Sequence, residues 1–427
     1  MISFKDAQNI ILRQKRLSNT VLPIDECVGC VAGEDICSKV FVPSFINSAV
    51  DGFAVRSSDL LEASLKNKIE LKVAGRTMAG DTCVEDEGIL YGSDGVGAWE
   101  IMTGACVPKG YDAVVPVEKV ETLSRNDENF PSIVTFQEPL NGQANIRMPG
   151  EDYKPENLIV EKGRKITSAA IMALSAVGQN KISVVSKPRV TLFSSGNEVV
   201  SNGSFALQSG QIRDANGPYL KSALTESGMA KTKFAGILSD DIEQFKTTIL
   251  TEIEEADVVI STGGVSAGRH DFIPEALRDV DAEIQFHKVA IRPGKPILYA
   301  TFSNGKHYFG LSGNPISAAV GLRFFVLPLL HHLQSMPSEA PLKACLNRRV
   351  TKNHDFHFFA KSKVSVTAEA ELVVDVLDGQ ESFKTHPLLE ANCWAVFKEN
   401  DYALDKGEVI DVYPLSPGCV DLSEEFR

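Results

Sequence analysis

Hydrophobic residues along this chain follow two rhythms. From Pro188 onward, short runs dense in branched apolar residues (RVTLF, FAGIL, DVVIST) alternate with longer stretches in which apolar positions recur every three or four residues (PYLKSALTES, DDIEQFKTTILTEIEEA, FIPEALRDV). The first rhythm predicts buried strands, the second helices with one apolar stripe. Their alternation predicts an α/β fold, a doubly wound parallel sheet with helices on both faces. Asn304-Gly305 predicts a hairpin leading into FGLSGNP, and a long helix follows from Ile316.

The rest of the chain reads differently. Phe4, Ala7, Ile10, Ile11 and Leu17 make one stripe of an amphipathic helix that Ser3 and Asp6 are placed to cap. A second capped helix is expected in GRKITSAAIMALSAVG, ending near Gly178. Between them lie short β-rich runs (IELKVAG, WEIMTG, DAVVPVEKV, SIVTF) split by Gly, Asp and Asn. Beyond a Pro/Ser/Ala-rich linker at 335–342, the tail returns to short alternating strands and predicts a small β-barrel or sandwich. Four domains are expected: 1–44 joined with 153–187, a β-rich insertion at 45–152, the α/β domain at 188–334, and the barrel at 343–427.

Composition narrows the function classes. A net charge of −13 argues against a nucleic-acid partner, so an anion must be met by a local basic pocket. The apolar stretch Val320 to Leu330 is broken by Arg323 and Pro328 and is too short to cross a membrane. The N-terminus lacks the apolar region of a secretory signal, so a cytoplasmic location and reduced thiols are expected for the eight cysteines. Cys27-x-x-Cys30 is the one close pair and reads as buried thiols rather than half of a zinc site.

Three predicted strands run into glycine-rich turns: Ser194-Ser195-Gly196-Asn197-Glu198, Ser261-Thr262-Gly263-Gly264-Val265-Ser266-Ala267-Gly268, and Gly310-Leu311-Ser312-Gly313-Asn314-Pro315. Ligands of open parallel sheets bind beyond the carboxyl ends of the strands, where glycine admits close backbone approach and helix N-termini attract phosphate. Neither a Walker pattern nor a well-placed dinucleotide fingerprint occurs at these turns, and Gly92, Gly95 and Gly97 read as a loop. Glu198, Asp240 and Asp271 offer oxygen ligands that suit Mg²⁺ beside phosphate. Lys288, Arg292 and Lys295 gather cations in an acidic chain and predict an anion clamp.

Taken in order along the chain, these motifs resemble the molybdopterin molybdenumtransferases, the molybdenum insertase family that includes the C-terminal domain of gephyrin. The resemblance rests on SFKDA near the N-terminus, on the run from Ala49 to Arg56, on Met102-Thr103-Gly104-Ala105, and on Gly150-Glu151-Asp152. It continues through the three sheet turns, Arg292-Pro293-Gly294-Lys295-Pro296 and Leu389-Glu390-Ala391-Asn392. It implies a homodimer with a composite active site, and insertion of molybdenum from molybdate into adenylylated molybdopterin with Mg²⁺-dependent loss of AMP. An adenylylating partner that handles molybdopterin would stand upstream.

By motif position the resemblance assigns catalysis to Asp51, Thr103, Asp152, Glu198, Asp240, Asp271, Lys288 and Arg292, with Glu198 and Asp271 as metal ligands. Ser195, Gly196, Gly263, Gly264, Ser266, Gly268, Lys295, Gly313, Asn314 and Pro315 would hold the pterin ligand. Arg292, Ser312 and Ser195 depart from the lysine, proline and threonine usual in the family. Two alternatives stay open: a hydrolase of nucleotide phosphoanhydrides built on the same sheet, and a dimeric scaffold without catalysis.

Overall fold

A computed structural model describes residues 1–84, 97–201, 203, 206–264 and 272–417. It divides into two units. One comprises Met1–Glu34, Glu161–Ser168 and Lys181–Arg427, the other Asp35–Val160 and Ala169–Asn180.

The first unit is organised by a six-stranded sheet: β1 (Arg189–Ser195), β2 (Lys231–Leu238), β3 (Val258–Thr262), β4 (Glu283–His287), β5 (Leu298–Thr301) and β6 (His307–Leu311). Their spatial order is β2-β1-β3-β6-β5-β4. The first four in that order run parallel, while β5 is antiparallel to both β6 and β4. The sheet is therefore mixed: the parallel order expected from the alternation holds for β2, β1, β3 and β6, and the expected hairpin brings in β5 antiparallel. The tight turn at Asn304-Gly305 joins β5 to β6, and a connection that short can only join antiparallel strands. Two reversals cancel, so β4 points the same way as β1, β2, β3 and β6.

Alternation along the strands sorts residues to two faces. Val190, Leu192, Val258, Ile260 and Phe309 pack with Leu220 and Leu224 of helix Asn216–Ser227 and with the helical stretch Pro315–Leu333. Phe193, Val259, Leu298 and Tyr308 pack instead with Phe245, Ile249 and Ile253 of helix Ile242–Glu255. Each aliphatic side chain so buried stabilises by about 1.5–3 kcal/mol.

Helix starts follow their caps. Ser3 accepts the Asp6 amide (3.1 Å) and opens helix Phe4–Ile11. Ala7 and Ile11 join the core of the α/β sheet, and Leu17, past the end of the helix, packs there too. The stretch Pro315–Leu333 runs for 19 residues, longer than the apolar run suggests, and 83% of its most apolar window is buried, making it a core helix. Its middle, Leu322–Val326, is π-helical just before Pro328, whose missing N–H interrupts the regular ladder.

Beyond the linker, Leu342–Leu346, His357–Val366, Leu372–Val376, Cys393–Phe397 and Val409–Pro414 close into a five-stranded barrel through their successive pairings. Closure removes free edges. Ile291–Arg292 adds a short parallel strand beside His357–Phe358.

In the second unit, six strands pair in the order Ala113–Pro116, Gly52–Val55, Gly97–Ile101, Ile69–Thr77, Pro131–Phe136, Val120–Arg125. Gly97 opens a strand rather than lying in a loop, because a Cβ there would sit 2.9 Å from the Lys72 carbonyl of the paired strand. Gly92 and Gly95 lie outside the described residues.

The thiols also depart from expectation. Cys83 and Cys106 form a disulfide across a Cα separation of 5.3 Å, the two segments being brought together by the Lys109 amide on the Val84 carbonyl (3.1 Å). Cys27, Cys30, Cys37, Cys345 and Cys393 are free. Burial pushes Cys27 up to about 11 and its Sγ donates to the Pro23 carbonyl (3.0 Å), an environment that disfavours the thiolate a zinc site needs.

Candidate functional site

β1, β3 and β6 end side by side, and the three glycine turns leave them at one edge of the sheet. The Gly196 amide donates to the Leu238 carbonyl at the end of β2 (3.1 Å), and the Gly263 amide to the Leu311 carbonyl (3.1 Å). Ser195 Oγ donates to the Thr262 carbonyl (3.0 Å). These bonds tie each turn to its neighbour. Gly263 has φ of +90°, and a Cβ there would stand 2.4 Å from the Ser195 carbonyl oxygen, so only glycine lets the first and second turns touch. Gly264 (φ +68°) continues the turn, and Gly313 lies across from Gly263.

Carboxylates gather at the β1 and β2 ends. A Cβ at Gly196 would lie 2.7 Å from the Glu198 carboxylate, so that carboxylate folds back over its own turn while remaining exposed. The cap of helix Ile242–Glu255 is Asp241, which accepts the Gln244 amide (2.7 Å). Asp240 is thereby released from capping. Its carboxylate accepts the Asn197 amide (3.2 Å), and its own amide donates to Asn197 Oδ1 (3.1 Å). Gly196, Asn197 and Ser239 line a hollow of about 600 Å³ at this end.

Lys288 stands at the far end of the same edge. It follows β4, whose last residue His287 is in register with Leu298, Gly310 and Ser261 across the sheet. Three strand spacings separate β4 from β3, about 14 Å. A ligand reaching from the second glycine turn to Lys288 would have to span that distance. Lys288 holds φ of +70°, unusual for a residue with a side chain, and is kept there by its amide on the Ile297 carbonyl (2.9 Å) and by the Ile2 amide on its own carbonyl (3.1 Å).

Arg292 and Lys295 open into a separate cleft of about 1020 Å³ between the sheet part and the barrel. Arg348, Arg349, Lys352 and His354 face them from the barrel side, and Ser312 and Asn314 of the third turn lie at its floor. Among the described residues neither Arg292 nor Lys295 has a salt-bridge partner, whereas Arg348 pairs with Asp378 (3.1 Å) and Arg349 with Asp405 (3.3 Å). Burial, then the neighbouring Arg292 charge, lowers the pKa of His354 and keeps its ring neutral near pH 7. Pro315 starts the helix at the third turn, and the Ile316 amide is already taken by the Ser382 carbonyl (3.0 Å).

In the second unit Asp51 and Thr103 are brought together. One carboxylate oxygen of Asp51 accepts both the Thr103 amide and its hydroxyl, each at 2.7 Å. The amide bond first, then the hydroxyl, holds the Asp51 carboxyl below its ordinary value. Asp152 is exposed in another turn, its amide on the Val42 carbonyl (3.0 Å). Ser266, Gly268 and Asp271 lie outside the described residues, and so does the metal pairing of Asp271 with Glu198.

Sequence reasoning passed over Asp214, Asn216 and the barrel cations. Buried Asp214 accepts Ser194 Oγ (2.8 Å) and the Gly217 amide (2.9 Å), joining the first turn to the start of helix Asn216–Ser227. Asn216 Nδ2 donates to the Gly313 carbonyl (2.8 Å) and joins that helix start to the third turn. An Asp three residues before Gly217 is a capping signal legible in Asp214-Ala215-Asn216-Gly217. Arg348-Arg349 carries no local signal beyond being a basic pair in an acidic chain.

Comparison with known proteins decides the family. Residues 2–178 match the family described as the MoeA N-terminal region (domain I and II), and residues 191–332 match the probable molybdopterin binding domain. The molybdopterin molybdenumtransferase of Staphylococcus aureus is 32% identical over 418 residues, covering 96% of this chain and 95% of that protein. The chain belongs to the molybdopterin molybdenumtransferase family. A Staphylococcus epidermidis molybdopterin molybdenumtransferase is also 32% identical, over 414 residues, at 96% and 95% coverage. The crystal structure of a molybdopterin biosynthesis MoeA protein from Pyrococcus horikosii superposes with a TM-score of 0.80 at 30% identity, covering 97% of this chain and 99% of that one.

Against the family pattern, Ser312 replaces the stiffness of proline with a bond of its own: its Oγ accepts the Asn314 amide (3.3 Å). Ser195 keeps the hydroxyl that threonine would supply. Arg292 keeps the charge and presents a broader, forked donor to the cleft.

Proposed function

We infer that this chain is a molybdopterin molybdenumtransferase, an enzyme that transfers molybdenum to molybdopterin in molybdenum cofactor biosynthesis. The observation that carries the reading is the carboxyl edge of the sheet. Three glycine turns there are bonded to one another, carboxylates stand at one end and Lys288 at the other, and a cationic cleft adjoins the third turn.

The finer reading assigns substrates to these places. An extended adenylylated molybdopterin lies along the edge, its phosphates against the glycine turns and Lys288, because backbone amides and an ammonium stabilise oxyanions without reorganising. Molybdate enters the cleft at Arg292 and Lys295, whose charges have no carboxylate partner among the described residues. Exposed Glu198 and Asp240 are hard oxygen donors of the kind Mg²⁺ takes alongside substrate phosphates, and Glu198 with Asp271 would hold the ion. Bound Mg²⁺ would neutralise phosphate charge at the anhydride that releases AMP. Asp240, fixed by Asn197, orients groups beside it.

The same proposal includes the homodimer with Asp51, Thr103 and Asp152 contributing to a composite site, the four-part domain division, a cytoplasmic location and an upstream adenylylating partner. The test is AMP release and cofactor formation from adenylylated molybdopterin and Mg²⁺, with and without molybdate. Molybdate-dependent AMP release with active cofactor supports the reading. Cleavage indifferent to molybdate would make the protein a phosphoanhydride hydrolase, and binding without turnover a scaffold.

A further inference from the structure

A lysine is enclosed in the wall of the barrel that faces the cationic cleft. Lys361 lies on strand His357–Val366 and is fully buried. Its Nζ meets no carboxylate within ion-pair distance among the described residues. It donates instead to three backbone carbonyls, of Gly379 (2.6 Å), Lys384 (3.1 Å) and Glu381 (3.3 Å). An ammonium has three donors, and here each is spent on one short segment.

That segment is gripped a second time. The Lys361 amide donates to Gln380 Oε1 (3.0 Å), and Gln380 Nε2 donates back to the carbonyls of Lys361 (2.8 Å) and Leu377 (2.7 Å). Residues 377–383 are thus folded around one side chain, and they line the cleft together with Ser312, Asn314 and Ser317. The wall meets the third glycine turn through the Ser382 carbonyl, which accepts the Ile316 amide (3.0 Å). Another lining residue repeats the device: Lys352 Nζ donates to the carbonyls of Glu399 (2.7 Å), Phe356 (3.0 Å) and His354 (3.3 Å).

We propose that Lys361 is a positioning residue for the oxyanion substrate, its caged ammonium fixing segment 377–384 as part of the cleft lining that also presents Arg292, Lys295 and the third turn to a small tetrahedral anion. The inference rests on the reading of the cleft as the molybdate site. Enclosing an ammonium beneath segment 377–384 is expensive, and an apolar side chain would fill the same space without desolvating a charge. Methionine would fill the volume but leave the Gly379 and Lys384 carbonyls without donors and the wall free to move. Burial lowers the pKa of Lys361, while its carbonyl cage serves only the charged form.

The experiment measures the half-saturating molybdate and adenylylated molybdopterin concentrations and kcat in the full chain, for wild type, Lys361→Met, Gln380→Leu and Arg292→Ala, with thermal midpoints alongside. Lys361→Met and Gln380→Leu are expected to raise the molybdate half-saturation about tenfold, with pterin half-saturation and kcat little changed, since a displaced wall misplaces only the anion. Folded variants with unaltered molybdate half-saturation, or a loss shared equally by every parameter, overturn the proposal. If Arg292→Ala weakens molybdate and the two wall variants do not, the cleft reading stands and the role of Lys361 falls. If Arg292→Ala changes nothing, the cleft reading falls and takes this inference with it. Should Lys361→Met fail to fold, Gln380→Leu decides, because it loosens the same wall from an intermediate-exposure position.

Discussion

Gly263 combines a left-handed backbone with a contact that leaves no room for a methyl group. Gly263→Ala should destabilise the protein by about 3 kcal/mol and abolish turnover, since strain and displacement of the Ser195 carbonyl act together. Chemical denaturation and AMP release measure the two effects separately. Asp51 makes a different kind of contact, held by hydrogen bonds at an exposed turn. Its folded carboxyl titrates below the unfolded value of 3.8, so the bond to Thr103 is fully present above that value and is lost as pH falls through the lower, folded one. The Thr103 amide resonance should therefore titrate with a midpoint below 3.8. Asp51→Ala should lower turnover about a hundredfold with circular dichroism unaltered, if the turn acts in proton transfer or in placing the nucleophile. At this scale the sequence was legible wherever chemistry announces itself locally. Ser3 reads as a cap because it precedes an amphipathic run, and the glycine turns read as turns. Asp240 was legible as an acid but not as one freed by its neighbour Asp241, because which of two adjacent carboxylates caps is settled by the backbone angle at the helix start.

Between elements, one ion pair joins the core helix to the linker and the barrel. Buried Arg323 in the π-helical segment donates through Nη2 to both carboxylate oxygens of Glu339 (2.8 and 2.7 Å), and through Nε to the Pro414 carbonyl (2.8 Å). Glu339→Ala leaves that guanidinium buried without its counter-charge, and should destabilise by about 3 kcal/mol in denaturant melts. Arg323→Met with Glu339→Ala should recover part of the loss. No periodicity in the sequence marks this pair, since its partners are sixteen residues apart across a linker. The mixed sheet shows the same limit. The hairpin at Asn304-Gly305 is readable, but that β4 reverses again and brings Lys288 to the same edge as the glycine turns follows only from pairing, which is long range. Periodicity reports which face of a strand is buried and is silent about which strand lies beside it.

For the molecule as a whole, acid is the vulnerable direction. His307 sits in β6 with Nδ1 3.0 Å from the Tyr299 hydroxyl, and burial, reinforced by His332, pushes its pKa down to about 4 from 6.5. The unfolded chain therefore binds a proton that the folded one refuses between those values, so stability falls as pH drops through the window, by about 3 kcal/mol at its lower end. The net charge of −13 also vanishes within this window, near the sequence pI of 5.2. Loss of mutual repulsion and loss of stability coincide, and light scattering should show a sharp rise in aggregation between pH 6 and 5 at about neutral net charge. His307→Gln should keep the neutral-pH fold and shift the denaturation midpoint at pH 5 toward its pH 7 value.

The hairpin between β5 and β6 has a geometric consequence for the ligand. Strand register in a hairpin slips in steps of two residues if each side chain is to keep its face, and each step moves one strand about 7 Å along its neighbour. Lys288 rides on β4, β4 is registered on β5, and β5 is registered on β6 by the turn at Asn304-Gly305. That turn is therefore a ruler: it sets how far along the sheet Lys288 stands from the glycine turns, and so the length of molecule the edge can measure, although the turn itself lies at the opposite end of β5 and β6.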